Sequence, residues 1–173
     1  MKDVVYILHG LGADSHANWF PWLKQELKSK GYTVAVPDFP CASIPKLEEW
    51  LDVLKSTIGQ YGEGILVGHS LGGLLAIQYL LAGGKSSKVL LVATPFRKME
   101  FAPEIDGFFP DPKDLPNLKG QSEFIVLQSK DDSLVYPSEA KKWVQILGGK
   151  LVVLSGLGHM DVAELPEILE CFD

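Results

Sequence analysis

The sequence predicts an α/β architecture: a doubly wound, mostly parallel six-stranded sheet with helices on both faces. Three observations predict it. Six short runs rich in Val, Ile and Leu recur, each nearly continuous rather than alternating, as suits strands buried on both faces of a parallel sheet. Segments of helical period separate most of them. The chain's 173 residues also suffice for one compact domain over 1–173. At that length about 70% of the unfolded surface is buried, and no metal or disulfide staple is needed.

In chain order, "VVYIL" is the first strand candidate, and the glycine-bearing loop "HGLGAD" follows it. "NWFPWLKQELKSKG" sets Trp19, Leu23 and Leu27 on one helical face and stops at Gly31, a residue suited to a left-handed cap. After "TVAVP", the segment "IPKLEEWLDVLKSTIGQYG" aligns Leu47, Trp50, Leu51, Leu54 and Ile58. The third strand, "GILVG", leads into "LLAIQYLLA", apolar all round except for Gln78, the mark of a helix packed inside the molecule. "KVLLVA" is the fourth strand. From Pro95 to Gly120 five prolines and no sustained period predict an excursion above the sheet that holds at most a short helix. "EFIVLQ" is the fifth strand, "PSEAKKWVQILGG" a helix with Ser138 as N-cap, and "KLVVLS" the sixth strand. A last helix is expected from about Leu165-Pro166.

A formal charge of −6 with scattered Lys and Arg argues against nucleic acid and anionic membranes as partners. Cys41 and Cys171 carry no ligand spacing and read as reduced thiols. No stretch reads as a signal sequence or membrane span, so a cytoplasmic location is expected. "HGLGAD" lacks the spacing of a dinucleotide loop, and no His/Cys/Asp cluster has metal spacing; no cofactor and no metal are expected.

The chemistry is written in "GHSLG", which sits between a buried strand and an apolar helix. In such a turn strained backbone angles lift the serine hydroxyl clear of the sheet, and flanking glycines avoid clashes. Ser70 is therefore the candidate nucleophile. The backbone N–H of Leu71, opening the helix, points at developing negative charge. A hydroxyl is a weak nucleophile and needs a base. Of the four histidines, His69 adjoins Ser70 but points away, to pack or to shape the elbow, His9 ends a strand and His16 lies in the next loop. His159, in "SGLGHMD" after the last strand, leaves the sheet on the same rim as Ser70 and is the candidate base.

The base needs an acid to hold its tautomer. "LQSKDDSLVYP" supplies Asp131 and Asp132, which cannot both face one histidine. Asp132 is preferred, with Asp131 turned to solvent or capping its loop. "LHGLGAD" offers a second oxyanion donor, the N–H of Leu11. Phe96, Phe108 and Phe109 either wall the pocket or anchor their loop.

Together "HGLGADSHANWFPWLKQEL", "GHSLGG", "SKDDSLVYP" and "GLGHM" resemble the small serine hydrolases of the YdeN type, also called the retinoblastoma-binding-protein-nine type, within the α/β-hydrolase superfamily. The resemblance runs along nearly the whole chain. It implies Ser70 as nucleophile, Asp132 as acid and His159 as base, with Trp19 lining the pocket, beside which Phe96 of the irregular segment is a substrate-binding candidate. It also implies a compact fold with little or no cap. A small lid means a shallow, open site, so the expected reaction is hydrolysis of small acyl esters through an acyl-enzyme. Two alternatives stand beside it: a peptidase acting on small peptides, and a non-catalytic scaffold, since some relatives are named for a protein partner.

Overall fold

The computed structural model describes residues 3–172. Six parallel strands, β1 (Val4–Leu8), β2 (Thr33–Ala35), β3 (Gly64–His69), β4 (Lys88–Val92), β5 (Glu123–Ser129) and β6 (Lys150–Leu154), form one sheet in the order β2-β1-β3-β4-β5-β6. The four α-helices are α1 (Phe20–Ser29), α2 (Leu47–Tyr61), α3 (Leu71–Leu81) and α4 (Pro137–Leu147). From β1 the chain first winds outward to β2, then returns past β1 and winds the other way from β3. This reversal opens a crevice beyond the carboxyl ends of β1 and β3, where open α/β sheets bind their ligands.

Alternate strand residues feed two cores. Tyr6, Leu8, Leu66, Leu91 and Val126 pack with α2, α3 and α4 on one face. Val5, Ile7, Val67, Leu90 and Leu127 pack with α1 and the C-terminal segment on the other. Burying a single Leu or Ile side chain stabilises the fold by roughly 1.5–3 kcal/mol. The all-apolar α3 buries nine of its eleven residues. Its one polar break, Gln78, donates from Nε2 to the Phe108 carbonyl at 3.0 Å. Among the described residues no helix is long and apolar enough to cross a membrane.

Two expectations are corrected. The N-cap of α4 is Tyr136, not Ser138: Pro137 takes the first helical position, where its missing N–H costs nothing. The last segment, Pro166–Phe172, is 3-10 rather than α-helical, and buries Ile168, Cys171 and Phe172. The proline-rich excursion holds short helical turns, as its composition allowed. Its prolines withhold helical donors, leaving two short 3-10 turns, Pro103–Phe108 and Leu115–Leu118. Ile105, Phe108, Leu115 and Leu118 enter the core, so Phe108 anchors its segment. The excursion is also tied at its start. The buried Glu139 carboxylate accepts the N–H groups of Phe96 at 2.9 Å and Arg97 at 3.2 Å, and the Arg97 Nε at 3.1 Å.

Candidate active site

Ser70 joins β3 to α3 with φ 52° and ψ −116°, an angle pair that side-chain-bearing residues avoid. Such strain costs on the order of 1–3 kcal/mol and persists only where its surroundings impose it. Here they do. The Ser70 N–H donates to the Val92 carbonyl at 2.8 Å, and the Ser70 carbonyl accepts the Gly73 N–H at 3.0 Å. The flanking glycines let the turn close. A Cβ on Gly68 would lie 2.4 Å from the Gly72 carbonyl oxygen, and one on Gly72 would lie 2.1 Å from that of Leu8. Strand, elbow and helix thus approach closer than any side chain allows.

His159 arrives from the loop after β6. Its Nδ1 lies 2.9 Å from Asp132 Oδ2. The Asp132 carboxylate is buried and otherwise saturated: Oδ1 accepts the N–H groups of Leu134 and Val135, each at 2.9 Å, and Oδ2 accepts Gln128 Nε2 at 3.0 Å. Burial pushes its pKa up, but the His159 hydrogen bond and the two backbone donors outweigh that, and the net shift is downward. Asp132 is therefore an ionised acceptor, which takes the Nδ1–H of His159 and turns Nε2 away from itself. Ser70 and His159 line one cavity. No hydrogen bond joins them among the described residues.

Asp131 faces elsewhere. Its carboxylate accepts the N–H groups of Gly156 at 2.8 Å and Gly158 at 3.2 Å, both in the His159 loop. His69 touches the same loop. Its Nε2–H donates to the His159 carbonyl at 2.9 Å, and its Nδ1 is buried without a partner. Complete burial, reinforced by the facing His159, lowers the His69 pKa to about 4. The ring is neutral, so the Asp161 carboxylate 3.9 Å away is no ion-pair partner near neutral pH.

The loop after β1 is shaped by His9. Its Nδ1–H donates to the Gly10 carbonyl at 2.9 Å, and its Nε2 accepts the Phe39 N–H at 3.0 Å. Burial lowers its pKa too, and both ring nitrogens are occupied, so it is unfit as a base. Gly10 passes tightly over the elbow: a Cβ there would lie 3.3 Å from Ser70 Cβ. Leu11 and Leu71 both line the cavity. Neither backbone N–H donates to another group of the described chain.

The cavity measures about 220 Å³ and is completed by Ala13, Asn18, Met99, Phe101, Ala102, Ile105, Leu134 and Asp161. Two expected pocket residues are not in it. Trp19 is fully buried behind the elbow, its ring edge-on to His69 at 6.0 Å, because the residues opening α1 face the core. Phe96 packs on Trp143 at 4.9 Å and lines a separate surface depression. Phe109 packs against the α2–α4 core. The apolar wall comes instead from Met99 to Ile105, which lack any period to announce them. A larger polar depression, about 350 Å³, lies at the opposite rim around Glu63, Lys85 and Ser86, by the amino ends of the strands. Among the described residues no group of three or more His, Cys, Asp or Glu is placed to hold a metal ion.

A family model described as "Serine hydrolase" matches residues 5–169. YdeN of Bacillus subtilis (strain 168) is 31% identical over 167 residues, covering 92% of this chain and 86% of that protein. The rat (Rattus norvegicus) serine hydrolase RBBP9 is 21% identical over 170 residues, covering 97% of this chain and 91% of that one. The crystal structure of the B. subtilis ydeN gene product superposes with a TM-score of 0.89 at 27% identity, over 99% of this chain and 97% of that one. A meta-cleavage product hydrolase from Pseudomonas fluorescens IP01 superposes with a TM-score of 0.78 at 16% identity, over 98% of this chain and 87% of that one, a likeness of fold alone.

Proposed function

Because the chain belongs to the serine hydrolase family, we propose that it hydrolyses small acyl esters through a covalent acyl-enzyme on Ser70. The observation that carries this reading is one cavity lined by a strained elbow serine and by a histidine whose far nitrogen is held, at 2.9 Å, by a buried aspartate. In the reaction Ser70 Oγ attacks the substrate carbonyl while His159 Nε2 takes its proton. Asp132 steadies the imidazolium that results. The unengaged N–H groups of Leu11 and Leu71 receive the oxyanion. The proton on Nε2 then passes to the departing alkoxide. Water enters, is deprotonated by the same nitrogen, and attacks the acyl carbon; the proton returns to Ser70 as the acid is released.

The cavity supports a small substrate. Its volume falls below the roughly 300–1,000 Å³ common for drug-sized ligands. Its described lining holds no Lys or Arg, so nothing there matches a substrate carboxylate, whereas Met99, Phe101, Ile105 and Leu134 suit a short apolar acyl group. The test is turnover of a small chromogenic acetate ester. Parent protein is expected to release the chromophore, and Ser70→Ala to lose turnover with an unchanged circular dichroism spectrum. Equal rates for the two proteins reject the proposal.

A further inference from the structure

The adjacent acids Asp131 and Asp132 both act on the His159 loop, one on its backbone and one on its ring. Asp132 reaches the imidazole. Asp131 binds residues 25 and 27 positions ahead, the N–H groups of Gly156 and Gly158. That reach separates it from an ordinary loop cap, which Asp132 provides by accepting from Leu134 and Val135. The Ser129 hydroxyl also donates to Asp131, and the same hydroxyl oxygen accepts the Leu157 N–H at 3.3 Å. Three consecutive loop N–H groups therefore close on one carboxylate and the hydroxyl bound to it. Backbone groups converging on an anion in this way form a nest.

The loop needs such an anchor. Gly156, Gly158 and Met160 have φ of +79°, +52° and +60°, three left-handed residues within five. The two glycines adopt these angles freely and so leave the backbone many shapes, and Met160 carries strain; one shape persists only when held from outside. At its far end His69 Nε2–H holds the His159 carbonyl, and the Met160 N–H donates to Leu157 at 2.8 Å. Asp131 itself is exposed, with no packing role in the core. The Ser129 hydroxyl, aided by the Gly156 and Gly158 amides, brings its pKa down to about 2, so it stays anionic wherever a histidine base works.

We infer that Asp131 is a positioning residue, the anion around which the loop folds so that His159 meets Asp132 and faces Ser70. The inference rests on the reading of His159 as the base. Asp131→Asn exchanges an acceptor-only carboxylate for an amide with a donating end, which cannot accept all three hydrogens. The loop then relaxes, and a misplacement of about 1 Å at a catalytic group can cost roughly 100-fold.

The experiment measures kcat and KM for the chromogenic acetate in parent, D131N and D131E, with the proton NMR signal of His159 Nδ1–H in each free protein. D131N is expected to remain folded with kcat lowered roughly ten- to a hundredfold, KM within about twofold, and the Nδ1–H signal shifted or lost to exchange. D131E, which keeps both acceptors, is expected to retain more kcat and more of the signal. Folded D131N with parental kcat overturns the inference, as does an unchanged Nδ1–H signal in the folded variant. The signal is readable without turnover. A parent protein that shows the signal but hydrolyses nothing therefore counts against the proposed function and not against Asp131.

Discussion

His69 closes β3 at the elbow, and its ring packs against the His159 loop. Its ring is walled by Trp19 and Phe20, each at 6.0 Å, and by His159 at 5.1 Å, with the Asp161 carboxylate at 3.9 Å and Asp132 beyond His159. Burial there lowers its pKa from 6.5 to about 4, which couples folding to pH with a definite sign. Above pH 6.5 the ring is neutral in folded and unfolded chains and costs nothing. Below that value the unfolded ring takes a proton that the folded ring refuses, so stability falls until the folded ring protonates near pH 4. Urea unfolding between pH 7.5 and 5 is expected to show this decline, and His69→Gln to flatten it to what His9 contributes. An identical slope in the variant would remove His69 as the cause.

At the scale of elements, the elbow and α3 were legible because their constraint is local. Gly68 and Gly72 flank Ser70 where a methyl would strike backbone that cannot move aside, 2.1 Å from the Leu8 carbonyl oxygen in the case of Gly72. Gly72→Ala is expected to destabilise the protein by at least about 1–3 kcal/mol, the usual cost of overpacking, and to lower activity with it. Gly59 makes the contrast. It lies in α2 with nothing within 4 Å of an added Cβ, so Gly59→Ala is expected to stabilise by about 0.5–1 kcal/mol. Equal effects of the two substitutions in urea unfolding would mean that close approach is not what keeps glycine at the elbow. What period and turn chemistry could not convey was helix type where prolines crowd: the 3-10 turns of 103–118 and the 3-10 end at Pro166–Phe172 are settled by tertiary burial.

Across the whole molecule, the sheet order sets where the cavity lies. The winding reversal between β1 and β3 brings the loops of His9–Leu11 and Ser70 together, and the ends of β5 and β6 deliver Asp132 and His159 to the same rim. Strand count and chain order made the shared rim readable in advance, while the roles of the side chains on it belong to the proposal. The pocket wall was not readable, since Trp19 and Phe96 have the right chemistry but are turned into other packing, while Met99 and Phe101 reach the cavity along an irregular path. Glu139, buried and tying down the excursion, looks in sequence like any charge on a helix face. The central claim is that these distant loops build one activated serine. Its most direct measurement is mass-spectrometric mapping of the adduct left by a fluorophosphonate probe on the folded protein. A single adduct on Ser70 is expected, forming far more slowly in His159→Ala. Folded parent protein that stays unlabelled, or an adduct on any other residue, would contradict it.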